Sequence, residues 1–299
     1  FNTLHACYSR RSTEDDVIHI VHQQVREPIR GKPLNVLIGD DNATNRLVLQ
    51  RMLEKMGHQC TSVNGGEAVL AALEHRQFDV AIVDKNMPDI GGIDVFTTYA
   101  MAYGRRTPTR FVILTADATA GSRDTCIAAG IKYFLTKPVS LFKLQEIFDR
   151  IVSADQEDGQ ERSVVDKQAN STCVFPVVDD EELEKLKRLA GDDNNFMHDI
   201  VVNFEDDARR DIQALELAVA SRDWLAFRDA AHALKGSAMY LGFHQLTKLA
   251  IEAQAMNQHV FEINGISQVK VIQQAADRAL NVFQDKLKNQ QGFQKNLSR

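Results

Sequence analysis

No stretch of this 299-residue chain approaches the roughly 18 consecutive apolar residues that a membrane helix needs. The start Phe1-Asn2-Thr3-Leu4-His5 also lacks the charged-then-apolar order of a signal peptide. A cytoplasmic segment without membrane contact is expected. Basic charge is short as well: 35 Lys and Arg against 41 Asp and Glu leave a formal net charge of −6. Such a chain offers no positive field to a nucleic-acid backbone, and no helix-turn-helix candidate stands outside the helices assigned below, which argues against nucleic acid as a partner. Cysteine is sparse. Cys7, Cys60, Cys126 and Cys173 are scattered, without the paired spacing of a zinc site, a redox motif or a disulfide framework, which leaves reduced thiols. With 44% hydrophobic and 25% charged residues, this length fits two ordinary globular domains. An opening on Phe1 rather than Met is expected of a piece of something longer. Residues 1–32 read as a leader or connector with one modest apolar stripe, Val17, Val21 and Val25.

What is present is an ordered set of chain ends. Four short apolar runs read Leu34-Asn35-Val36-Leu37-Ile38-Gly39, Val80-Ala81-Ile82-Val83, Phe111-Val112-Ile113-Leu114 and Ile131-Lys132-Tyr133-Phe134-Leu135. They end at Asp40-Asp41, Asp84, Thr115 and Lys137, and each precedes a helical pattern. Cys60 to Val63 adds a short strand. Short strands alternating with helices predict a doubly wound parallel sheet of the flavodoxin-like α/β kind, a five-unit (βα) domain over 33–152. Ligands of such sheets sit at the carboxyl ends of the strands, so two acids, a third acid, a hydroxyl and a lysine meet at one edge. A carboxylate accepts a phosphoryl group when a hard divalent ion neutralises the incoming oxygens, and Asp40, Asp41 and Asp84 supply acids for Mg²⁺. Lys137 and the Thr115 hydroxyl can hold the remaining phosphoryl oxygens. Any single acid at a strand end is more often a helix cap or a surface charge. Five matches in order are not.

Residue for residue, Asp40-Asp41-Asn42, Asp84-Lys85-Asn86-Met87-Pro88, Thr115-Ala116 and Lys137-Pro138 resemble the response-regulator receiver domain. The resemblance implies that Asp84 is the phosphoacceptor and that Asp41, Asp84 and the Asn86 carbonyl bind Mg²⁺, assisted by Asp40. It also implies that Thr115 and Phe134 form the switch that couples phosphorylation to the face made by the fourth helix and fifth strand. Gly39 departs from the family, where a β-branched residue is more usual, and is expected to loosen the strand end without removing a ligand.

Residues 153–178 are acidic and poor in large apolar groups, and read as a flexible linker. Beyond it the pattern is helical: about Asp180 to Leu189, Asn195 to Ala220, Trp224 to Leu241, Gln245 to Met256 and Gly265 to Asn289. This predicts an all-α four-helix bundle over 179–290 with a tail at 291–299. In the third of these helices the apolar face runs Phe227, Ala231, Leu234, Ala238, Leu241. His232 lies about 200° from Leu234 at about 100° per residue, so it is expected to face solvent. Lys235 can neutralise a phosphate on its ring, and Gly236 leaves space for another protein's active site. His58, His75, His198, His244 and His259 are read as inert. The segment resembles the histidine phosphotransfer domain at His232, Lys235 and Gly236, with Tyr240-Leu241-Gly242 in the family's manner. It implies that His232 is a second phosphoacceptor.

The order receiver then phosphotransfer domain resembles the carboxyl end of bacterial hybrid sensor histidine kinases. No ATP-binding domain with glycine-rich and asparagine boxes is found, so phosphotransfer and autodephosphorylation are the expected activities. The implied partners are a histidine kinase transmitter domain upstream and a response regulator downstream. The stretch Asp40 to Gln50 also resembles hybrid kinases that sense fatty-acid quorum signals of the diffusible-signal-factor type, which implies a regulated enzyme docked on the receiver. Two rivals differ in class: a receiver acting mainly as a docking module, and an unrelated flavodoxin-like hydrolase using the acids as metal ligands, which leaves His232 and Lys235 without a task.

Overall fold

In a computed structural model of the chain, residues 33–103, 108–116, 120–154 and 177–297 are described. The leader stripe and nearly all of the acidic linker lie outside these residues. Five strands, β1 (Asn35–Gly39), β2 (Gln59–Val63), β3 (Val80–Asp84), β4 (Arg110–Thr115) and β5 (Tyr133–Thr136), pair in parallel in the order β2-β1-β3-β4-β5. Parallel strands need crossovers, and α1 (Ala43–Lys55), α2 (Gly66–His75), α3 (Gly92–Tyr103), α4 (Ala120–Ala128) and α5 (Leu141–Ala154) supply them and cover both faces. Apart from their end residues, the central strands β1, β3 and β4 are apolar because neither face meets water: all five residues of β3 are buried. The order reverses between β1 and β3, the switch point at which sheets of this topology hold ligands.

Gly39 does not loosen β1. It pairs with Val63 on one side and Val83 on the other, and a β-carbon there would lie 2.2 Å from Val69 Cγ2. The glycine lets α2 pack directly on the strand end. Asn42 caps α1: its side chain accepts from the Asn45 amide.

The second part consists of α6 (Asp180–Ala190), α7 (Asn194–Ser221), α8 (Trp224–Tyr240), α9 (His244–Ala255) and α10 (Gln258–Leu297). Asp179, Asp193 and Asp223 cap α6, α7 and α8. Gly191 and Gly242 end helices at φ values of 59° and 67°. The links between α7, α8, α9 and α10 are two or three residues long, so successive helices run antiparallel around Phe204, Phe227, Phe243 and Phe283, all fully buried. The last helix is longer than its apolar pattern indicated. The Asn257 side chain accepts from the Val260 amide and starts α10 early. Gly265 lies inside it, where a β-carbon would stand 3.2 Å from both Phe261 and Val219 side chains. The expected tail at 291–299 therefore begins within a helix.

The two parts pack on each other. One continuous core runs from the α1/α5 face of the sheet into the helical bundle. α1 lies against α6, α7 and α8, and the Tyr240 hydroxyl accepts from the Val139 amide, 3.4 Å away, at the end of β5.

Candidate active site

The register that aligns Gly39 with Val83 sets Asp40 and Asp84 side by side where β1 and β3 end. Oxygen atoms of Asp40, Asp41 and Asp84 all fall within 4.8 Å of one another. Lys137 reaches them from the loop after β5, which turns through a cis Lys137-Pro138 bond, and its Nζ lies 2.8 Å from both Asp40 Oδ2 and Asp84 Oδ2. Asp40, Asp84, Thr115 and Lys137 are all buried. Asp40 is further held by the Asn42 amide and by Asn45 Nδ2, and Arg46 clamps its carbonyl. Thr115, at the end of β4, accepts the Lys137 amide on its carbonyl. Phe134 in β5 packs against the core on the α2/α3 face.

Burial dominates the electrostatics. It pushes Asp84 up to about 7 against the pull of Lys137, and Asp40 adds to the rise. Burial and Asp40 also raise Asp41. For Lys137, burial opposes the charged form, but Asp40 and Asp84 together outweigh it and the ammonium stays protonated. Three carboxylates against one ammonium leave an excess of negative charge among hard oxygen donors. That set fits a small divalent cation, whose charge would offset both the repulsion and the cost of burial.

His232 is not turned to solvent. It stands off the apolar face of α8, as its angle from Leu234 indicated, but the edge of the α/β domain leaves it half-buried. Its Nε2 lies 2.9 Å from Asn86 Nδ2, two residues beyond Asp84. Its Nδ1 lies 2.9 Å from Gln254 Nε2 on α9, and Gln254 Oε1 accepts from Lys235 Nζ at 2.9 Å. A lysine can only donate, so it fixes which end of the Gln254 amide faces the ring. Burial, then Lys235 and Lys137, press the imidazole down to about 4, so it is neutral near pH 7. Gly236, one turn along, faces α1: a β-carbon there would stand 3.4 Å from Asn45 Nδ2. The space it leaves is filled by this chain's own receiver-like edge.

The fold thus brings together Asp40, Asp41, Asp84, Asn86, Thr115 and Lys137 with His232, Lys235 and Gly236. Sequence reasoning did not find Gln254, which carries no motif and is placed only by the packing of α9 on α8. Nor did it find Asp207 and Asp211, whose signal is faint: two buried acids four residues apart beside the apolar stripe Phe204, Ala208, Ile212 of α7. Among the expected inert histidines, His58 stacks on Phe148 and His244 pairs with Asp179, both structural contacts.

Comparison with known proteins agrees with this division. The family model of the response regulator receiver domain matches residues 36–149, and that of the Hpt domain matches residues 199–286. The Sensory/regulatory protein RpfC of Xanthomonas campestris pv. campestris is 32% identical over 243 residues, covering 81% of this chain and 33% of RpfC. The Sensor protein GacS of Pseudomonas syringae is 28% identical over 239 residues, 79% of this chain and 26% of GacS. This chain therefore spans about a third or less of the length of these relatives. Among solved structures, the chemotaxis response regulator CheY4 of Vibrio cholerae matches 40% of this chain and 99% of its own at 25% identity and a TM-score of 0.37. The receiver domain of the Pseudomonas aeruginosa sensor histidine kinase PA1611, solved with a magnesium ion in its active-site cleft, matches 41% of this chain and 99% of its own, at 28% identity and a TM-score of 0.37.

Proposed function

This chain carries a response regulator receiver domain followed by an Hpt domain, the pairing of two-component phosphorelays, and we propose that it is the relay portion of a hybrid sensor histidine kinase. Asp84 takes a phosphoryl group from the histidine of a kinase transmitter domain, and His232 carries it to or from a separate response regulator. The functional units are 33–152 and 179–290. The observation that carries this reading is the 2.9 Å approach of His232 Nε2 to Asn86 Nδ2, which puts a neutral imidazole at the edge where Asp84 lies.

Asp40, Asp41, Asp84 and Asn86 would hold Mg²⁺, which would supply charge to neutralise the oxygens of the incoming phosphoryl group. The chain's own residues do the rest. Buried Lys137, permanently charged, pairs with the oxygens the cation leaves, and the Thr115 hydroxyl donates to another. In transfer, the P–O bond to Asp84 breaks as a P–N bond to His232 forms; the electron pair returns to the Asp84 carboxylate, which takes up the proton that the ring nitrogen sheds. Gln254 fixes the plane of the ring through Nδ1, and Lys235 stands ready beside the charge that arrives. Thr115 and Phe134 would report the phosphorylated state to the α4/β5 face. A cytoplasmic setting follows from this role.

A second reading, the receiver as a docking module for a regulated enzyme, is favoured by exposed apolar side chains on its outer helices, Ile127 of α4 and Phe142 of α5. Resemblance to fatty-acid quorum-signal sensors points the same way. Binding of such an enzyme that is unchanged by Asp84→Asn would mark constitutive docking.

The test is peptide mapping after incubation with Mg²⁺ and acetyl phosphate. Acid-labile label on Asp84, and on His232 only while Asp84 is intact, supports the relay. Label on His232 in Asp84→Asn at the wild-type level overturns the order of transfer.

A further inference from the structure

Two domains that only collide in passing need no built contact beyond the reacting groups. Here the contact is built at both ends of one helix. The first turn of α1 has three amides without an intrahelical acceptor. Asn42 takes that of Asn45. The other two are taken from outside the domain: Asp207, on α7 of the helical bundle, accepts from the Ala43 amide at 3.3 Å and the Thr44 amide at 2.9 Å. The Thr44 hydroxyl also donates to Asp207 Oδ2 at 2.9 Å. Asp207 is 1% exposed and Thr44 fully buried, and Arg210 holds the carboxylate from behind at 2.9 Å.

At the other end of the contact the roles are exchanged. Helix α6 of the bundle ends with carbonyls that have no donor within the helix; the Asp193 amide reaches that of Ala190, and two cations of α1 reach the last turn as well. Arg51 donates to the Ala190 carbonyl at 3.2 Å and to Asp193 at 2.8 Å, and its guanidinium lies over the Phe196 ring at 5.4 Å. Lys55 donates to the Arg188 carbonyl. An anion thus meets a helix amino end and two cations meet a helix carboxyl end, each in the sense that the helix dipole favours. Thr44, Arg51 and Lys55 are spaced by seven and four residues and so share one face of α1.

We propose that this reciprocal capping, Asp207 on α1 and Arg51 with Lys55 on α6, is the docking determinant that holds the receiver on the Hpt domain and brings His232 to the Asp84 edge. The partner that fits the bundle face is this chain's own receiver: a first helix with a hydroxyl residue in its opening turn and cations two and three turns on. These residues touch neither reacting group; they position one domain against the other. The inference rests on the relay reading only for its kinetic readout.

The experiment compares the full chain with Asp207→Ala, with the double variant Arg51→Ala/Lys55→Ala, and with Arg209→Ala, an exposed residue of α7, as a control. Two quantities are read: hydrogen exchange at the Thr44 amide, and the rate at which label placed on Asp84 by acetyl phosphate and Mg²⁺ reaches His232. The double variant is the sharper probe, because its side chains stem from about 10 to 16 Å along α1 from Thr44 and cannot expose that amide locally. It is expected to speed Thr44 exchange and slow transfer, each about tenfold, which is about 1.4 kcal/mol of docking. Asp207→Ala should slow transfer to the same degree, and Arg209→Ala should change neither. Thr44 exchange and transfer both at wild-type rates in the double variant would overturn the proposal. Exchange that responds in a wild-type background that labels Asp84 but never His232 would uphold the capping and refute the relay.

Discussion

Asp211 is a carboxyl in the wrong place for its charge, and its replacement should strengthen the protein. It is buried on α7, 5% exposed. Arg210 Nε stands 3.7 Å from one oxygen, and the other has no hydrogen-bond partner. Burial pushes its pKa up from 3.8 to about 7; Arg210 opposes the rise, and Asp207 and Asp41 add to it. An acid with a raised pKa binds its proton more tightly in the folded state. The cost of ionising it is therefore absent below the unfolded value, grows as pH rises, and is complete above the folded one. At about 1.36 kcal/mol for each unit of pKa, the full cost is roughly 4 kcal/mol. Between about pH 5 and about pH 8 it changes by roughly 2 to 3 kcal/mol. Asp211→Asn removes the charge and keeps the shape. Urea unfolding of wild type and variant at both pH values is expected to show the variant gaining stability over wild type by that difference on going to the higher pH. A gap that does not change with pH, or that shrinks, would refute the claim that Asp211 is held against its charge.

Lys137→Ala leaves Asp40 and Asp84 buried without their cation, a loss of about 3 to 5 kcal/mol for a broken buried pair. Mg²⁺ should return much of it, and a urea midpoint equally low with and without Mg²⁺ would contradict the site's charge balance. Gly39→Ala forces a β-carbon to 2.2 Å from Val69 Cγ2, and a loss of about 1 to 3 kcal/mol or more is expected from overpacking; unchanged stability would mean that α2 can retreat. The ring of His232 should titrate near 4 in the full chain, because burial, Lys235 and Lys137 disfavour the cation. A ring NMR midpoint near 6.5 would show the imidazole standing in water.

Much of this was legible in the chain itself. The apolar runs ending in Asp40, Asp84, Thr115 and Lys137 announce both a parallel sheet and the edge where its chemistry collects, because strand ends on one edge are fixed by topology alone. The stripe Phe227, Ala231, Leu234, Ala238, Leu241 likewise sets the core face of α8 through periodicity. What periodicity could not tell was what covers the opposite face. His232 reads as solvent-facing from one helix, and only the packing of a second domain against α1 makes it half-buried. Gly39 reads as a weak strand end until Val69 is seen beside it. Gln254, Asp207, Arg51 and Lys55 act across long separations in sequence, from helices whose own patterns they do not disturb, so no local signal marks them. The start of α10 at Gln258 depended on one side chain, Asn257, outside the apolar stripe.

The claim at the centre is that Asp84 and His232 exchange phosphate within one chain, across the contact seen here. The most direct measurement is the rate at which label moves from Asp84 to His232 after a pulse of acetyl phosphate with Mg²⁺, followed over about a hundredfold range of protein concentration. A rate constant independent of concentration is predicted, with much slower transfer when Asp84 and His232 are supplied on separate chains as His232→Gln mixed with Asp84→Asn. A rate that rises in proportion to concentration, equal in the mixture and the wild type, would contradict it.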